Sequence, residues 1–144
     1  LFYAWMVSVI PGTKKILDST YLESMQSINK EILNPAFFLI FMGSPLLLLL
    51  STVQQYNRGT IFWLLLGASF VYAIGTFGVT AFGNVPLNDA LEALDVSSRD
   101  ETEAKEFRSS YEGKWNLLHG IRTAFSILAF VLSVFAIFLY AHQE

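Results

Sequence analysis

The chain has 144 residues, 53% of them hydrophobic and 15% charged, with a net charge of -3 and a positive mean hydropathy. That balance is too apolar and too poor in charge for an ordinary soluble domain, and it points to an integral membrane protein with the lipid bilayer as its first partner. The absence of cysteine excludes disulfides, thiolate metal ligands and cysteine nucleophiles, and with no basic cluster there is no case for nucleic acid.

The first eleven residues, LFYAWMVSVIP, are apolar but would cross only about half of a ~30 Å hydrocarbon layer. They read as the tail of a fourth span, truncated in this sequence, rather than as a secretory signal, because Lys14 and Lys15 follow the apolar stretch instead of preceding it. In the following loop, Thr20 and Glu23 have capping-box spacing. Leu22, Met25, Ile28 and Ile32 then recur at helical intervals, predicting an amphipathic helix over 20–33. Asn34-Pro35 can close that helix and open the next.

A membrane-crossing helix needs roughly 20 mostly apolar residues, and the sequence offers three such runs, at 36–53, 60–82 and 119–141. Pro45 is expected to kink the first of them. In the second, Gly75 and Gly78 allow close helix approach. Between the second and third runs, Asn84 can cap a short helix over 85–94, and Ser98 with Glu101 can open another over 99–112, with Gly113 loosening the junction to the last span. Alternation places both long loops on one side. They hold Lys14, Lys15, Lys30, Arg99, Lys105, Arg108 and Lys114, so the positive-inside bias puts them in the cytoplasm of a cell-membrane protein. The expected fold is all-α, a polytopic membrane four-helix bundle forming a single domain over 1–144, with short amphipathic helices in the two loops.

The mouth of the last span is polar. Trp115, His119, Arg122 and Ser126 share one helix face and Asn116 and Thr123 flank it. A second stripe, Ser69, Tyr72, Thr76 and Thr80, reaches Asn84 at the same end. An ionisable group at membrane depth needs a partner, and Asp89, Glu92 and Glu112 are the candidates for Arg122. Competing roles are structural: snorkelling for Arg122 and an aromatic belt for Trp115, and a hydrogen-bonded core residue for His119. The other histidine, His142, lies beyond the far end of the same helix, so no shared metal site is expected, and the sequence implies no cofactor.

Four stretches, VIPGTKK (Val9 to Lys15), MQSINKEILNP (Met25 to Pro35), GTFGVTAFGNVPLNDALE (Gly75 to Glu92) and YEGKWNLLHGIRT (Tyr111 to Thr123), together resemble the anthrone oxygenase-like family of small integral membrane proteins. The resemblance implies a four-helix membrane bundle and, by analogy with the few characterised members, oxygenation of a phenolic or polyketide-like small molecule without a recognised metal or flavin. The matching positions are Pro11, Asn29, Asn34, Pro35, Gly78, Asn84, Pro86, Asn88, Trp115, Asn116, His119, Arg122 and Thr123; where the family runs His-Asn-x-x-Arg-Thr, this chain has Gly120. On that analogy His119 is the general base, and Arg122, Asn84 and Asn88 stabilise a developing oxyanion. Trp115, Asn116, Thr123, Tyr72 and Thr76 line the substrate site, with Trp115 and Tyr72 stacking on the ring. The alternative is a non-catalytic accessory subunit of a larger membrane complex; transport is weaker, because no acidic residue falls within a span.

Overall fold

The computed structural model describes residues 1–142, and among them every regular element is helical. Five longer helices follow one another, with a short 3₁₀ turn at Val96–Ser98 between the last two. Helix α1 covers residues 2–13, with a π-helical middle at Trp5–Val9. Helix α2 is Asp18–Ile32, α3 is Pro35–Gln54, α4 is Thr60–Glu92 and α5 is Glu101–Ala141. Helices α3, α4 and α5 are long and apolar enough to cross a membrane, and their outer faces expose Leu39, Leu47, Trp63, Phe130 and Ile137, as a lipid-facing surface would.

The two helices bordering the second loop are longer than the sequence predicts. Asn84 keeps helical backbone angles and makes no capping hydrogen bond, so the expected break there is absent and α4 runs on for 33 residues. Gly113 likewise does not interrupt α5, which continues for 41 residues, about 60 Å at ~1.5 Å per residue. The true start of α5 is Asp100, not Ser98: its carboxylate accepts from the Thr102 and Glu103 amides, both at 2.9 Å, leaving only residues 93–100 as connection. Two continuous helices, each longer than a ~30 Å hydrocarbon layer requires, therefore form, with α2, a cap on one end of the molecule.

Helix α2 begins at Asp18 rather than Thr20, and its first amides are capped from outside. Glu101 Oε1 accepts from Asp18 N at 2.7 Å and from Ser19 N at 3.4 Å. Asn34 and Pro35 behave as the sequence predicts, Asn34 Oδ1 accepting from Phe37 N at 3.0 Å with Pro35 in the first turn of α3. The α3–α4 turn needs left-handed backbone at Asn57 (φ 74°) and Gly59 (φ 56°), conformations that asparagine and glycine tolerate best.

The cap has its own apolar core of Tyr21, Leu22, Met25, Leu91, Val96, Ala104, Tyr111 and Trp115. Arg108 clamps its edge. This nearly buried guanidinium donates to the carbonyls of Thr13 and Ile16 (both 3.0 Å), to Asp18 Oδ1 (2.9 Å) and to Glu112 Oε2 (2.7 Å). One side chain thus ties the end of α1 and the start of α2 to α5.

Within the spans, Pro45 cannot donate to the Phe41 carbonyl one turn earlier. The Tyr72 hydroxyl of α4 donates to that oxygen instead, at 3.5 Å. At Gly75, α4 and α5 meet so closely that a Cβ would fall into the Phe125 ring; Gly78 faces no neighbouring helix in this way, and it is Gly83, against Leu118, that marks the next close approach.

Candidate functional site

Tyr72, Thr76, Thr80 and Asn84 are each four residues apart. In a regular α-helix that spacing drifts about 40° per step around the axis, which would turn Asn84 well away from Tyr72. Here α4 is π-helical at Tyr72–Gly78 and Thr80–Asn84, and the wider π turn absorbs the drift. All three deeper side chains consequently reach α5. Thr76 Oγ1 donates to the Arg122 carbonyl at 3.3 Å and lies 3.0 Å from Ser126 Oγ; Asn84 Nδ2 donates to the Trp115 carbonyl at 3.3 Å. Thr80 Oγ1 donates to the Thr76 carbonyl and accepts from Arg122 Nη1 at 3.4 Å.

On α5, Trp115 and His119 lie one turn apart and their rings stack, with centroids 5.0 Å apart and planes 8° from parallel. Arg122 folds back over the next turn and directs Nη2 (2.9 Å) and Nε (3.2 Å) at His119 Nδ1. A guanidinium only donates, so Nδ1 must be the accepting nitrogen and the ring proton resides on Nε2, which donates to the Phe2 carbonyl of α1 at 3.0 Å. The imidazole is therefore neutral in this arrangement. Both of its nitrogens are engaged. Phe2 and Trp115 add aromatic faces to the guanidinium, 4.6 and 5.3 Å from its carbon.

The expected carboxylate partner is missing. Glu112 is bound by Arg108 and Glu92 by Lys30 at 3.0 Å, while Asp89 is exposed. Among the described residues no Asp or Glu forms an ion pair with Arg122, although this residue is only 8% exposed. Sequence spacing could not reveal this, because it cannot say which of several nearby cations each acid will meet.

The pair borders a cavity of about 110 Å³, lined among others by Phe2, Trp5, Asn29, Phe37, Thr80, Asn88, Trp115, His119 and Arg122. Of the residues expected at a site, the fold brings Trp115, His119, Arg122 and Asn88 to this wall. Asn88 Oδ1 accepts from Trp115 Nε1 at 2.8 Å and so fixes the indole. Asn84 lies behind the wall, fully buried, with Oδ1 lacking a partner. Thr123 spends its hydroxyl on the His119 carbonyl at 2.7 Å. Thr76 is buried between the helices, Tyr72 faces an adjoining groove, and Asn116 opens on a separate polar groove beside Arg108. Phe2, Trp5 and Phe37 were not foreseen, since their approach to α5 is purely tertiary. Thr80 already belongs to the polar stripe of the 60–82 run.

Fold and site together define a small all-helical integral membrane protein with a buried, aromatic-walled His–Arg pair where its spans meet the cap. Residues 32–132 match the anthrone oxygenase family, and the chain belongs to that family. No curated protein and no solved structure matches it.

Proposed function

We propose that this protein oxygenates a small phenolic or polyketide-like molecule in the cavity bounded by His119 and Arg122, without a metal or flavin. The observation that carries the reading is the pairing of Arg122 with His119 Nδ1 at the wall of an aromatic cavity, in a member of the anthrone oxygenase family. In the resting arrangement Arg122 occupies the only lone pair with which His119 can act as a base. A substrate oxyanion is a stronger acceptor than a neutral imidazole, so it draws the guanidinium toward itself and releases Nδ1.

His119 then takes a proton from the acidic carbon of the substrate, and Arg122, with Asn88 nearby, stabilises the enolate oxygen. The resulting carbanion gives one electron to dioxygen, and recombination of the two radicals forms a C–O bond. The peroxide recovers the proton from His119, and loss of water leaves the quinone-type carbonyl. Trp115 and the rings of Phe2 and Phe37 hold a flat substrate. In this reading α1 is the fourth helix of the membrane bundle, a role its contacts to His119 and Trp115 support, and the cap faces the cytoplasm.

The test is oxygen consumption by the purified chain with anthrone-type and simpler phenolic substrates. His119→Gln is expected to lower turnover by about 10²–10⁴-fold, the usual contribution of a positioned base. Unchanged turnover in that variant removes His119 from the chemistry, and no turnover of any phenol by the unaltered protein returns the accessory-subunit reading.

A further inference from the structure

The side of α5 that faces away from the rest of the fold carries a regular pattern. From Leu117 through Gly120, Ala124, Ile127, Val131 and Val134 to Phe138, positions advance alternately by three and four residues, the repeat that keeps one helix side against a partner helix over many turns. It runs for about 30 Å at ~1.5 Å per residue. His119 and Arg122 point elsewhere, toward the cavity, and α4 meets α5 at Leu118 and Phe125.

The rest of the fold leaves this side of α5 open. Leu117, Ile127, Val131, Val134 and Phe138 are 65, 46, 39, 47 and 57% exposed, and Ala124 is exposed as well. Glycine is a poorer helix former than alanine, so a glycine inside a helix calls for a reason. At Gly75 and Gly83 the reason is internal, since a Cβ would meet Phe125 or Leu118; at Gly120 no neighbouring group lies within 4 Å of where a Cβ would stand. Lipid chains adapt to a methyl group, whereas a second helix at close range gains from its absence.

The occupant that fits this pattern is a second copy of the chain. Two copies lie the same way round in the membrane, so a two-fold axis along the membrane normal sets each position against itself. That demands small or apolar, uncharged residues throughout, and all seven are. The available area agrees. Large apolar side chains present roughly 150–250 Å² when free, so at these exposures the stripe offers on the order of 600 Å² per copy, close to the ~600 Å² a side at which stable interfaces begin.

We infer that this protein pairs with a second copy of itself through α5, the two helices parallel and closest at Gly120 and Ala124. The two His119–Arg122 cavities then face away from each other, and the pairing is independent of any turnover in them.

The chain has no cysteine, so single cysteines report on the seam in the otherwise unaltered protein, reconstituted in phosphatidylcholine vesicles. Oxidative cross-linking should be several-fold greater for Ala124→Cys, Ile127→Cys and Val131→Cys than for Phe130→Cys and Ile137→Cys beside the stripe. The cross-link should persist as lipid is added, whereas chance collisions fade with dilution. Gly120→Leu should weaken association about tenfold, with tryptophan fluorescence unchanged because no neighbour is displaced. Ala124→Leu should act in the same direction one turn further on.

Equal cross-linking at all five positions, or a yield that falls in proportion to lipid dilution, overturns the pairing. A maximum at Leu39→Cys or Leu47→Cys on α3 assigns the contact to another face and overturns this one. Association unchanged by both Gly120→Leu and Ala124→Leu overturns the close approach.

Discussion

Arg108 is the position where the geometry makes its firmest quantitative claim. The guanidinium side chain is 9% exposed and its acidic partners Asp18 and Glu112 are 26% and 17% exposed. Arg108→Met removes every donor at once. Glu112 then loses its only cation, with Oε1 already lacking a partner, and the carbonyls of Thr13 and Ile16 lose theirs. Breaking a buried pair from one side costs about 3–5 kcal/mol. Asp18 can regain water, which pulls the expectation to the lower end, about 3 kcal/mol. Thermal unfolding in detergent reads the total, and hydrogen exchange should show the loss concentrated in residues 2–18. The double variant Arg108→Met/Glu112→Leu should recover about half, because no uncompensated acid remains. Arg108→Met within about 1 kcal/mol of the parent, the range of exposed pairs, would refute the argument that this clamp holds α1 against α5.

Further outcomes follow from the packing. Gly75→Ala should destabilise by about 1–3 kcal/mol through collision with Phe125, despite the better helix propensity of alanine, and Phe125→Ala should relieve it; equal stability of the single variant would contradict the close approach. Gly113 is exposed, with open space where a Cβ would be, so Gly113→Ala should raise the melting temperature, with a gain of up to about 1 kcal/mol; a loss would mean that a joint is needed there. Trp115→Phe removes the 2.8 Å bond to Asn88 and should cost about 1 kcal/mol, seen as a lower unfolding midpoint. Burial and the nearby Glu112 raise the ionisation of the Tyr21 phenol above its ordinary range. Its stabilising effect is complete below a pH of about 10, where the unfolded phenol ionises, and fades as pH rises toward the folded value. Tyr21→Phe should flatten that alkaline decline, and an unchanged slope would assign it to other groups.

The three membrane-crossing segments, the helix near 20–33 and the apolar faces of the cap were legible, because each is written in local periodicity. Leu22 and Met25 face the cap core, as their spacing requires, and Leu91, Ala104 and Tyr111 meet them there. Helix ends were less legible. Asn84 and Gly113 resemble punctuation, but neither stops a helix whose flanks are packed: Asn84 is held against the Trp115 carbonyl, and the turn before Gly113 is held by Arg108. The polar stripe on α4 was recognisable by composition, yet its alignment depends on π turns that no spacing rule announces. Of the residues that line the cavity, Trp115, His119, Arg122 and Asn88 are ones the sequence singles out. Phe2, Trp5 and Phe37 are not among them, because their roles depend on how α1 and α3 lie against α5.

The unbroken course of α5 fixes a phase relation between the two ends of the molecule. Arg108 in the cap and Arg122 at the cavity sit on one rod, so every residue added between them would twist one against the other by about 100°. Adding seven residues comes back to within about 20° of the starting phase. Length changes in this stretch are therefore quantised: single insertions unmesh the clamp from the cavity, whereas a two-turn addition lifts the cap by about 10 Å and leaves it in gear.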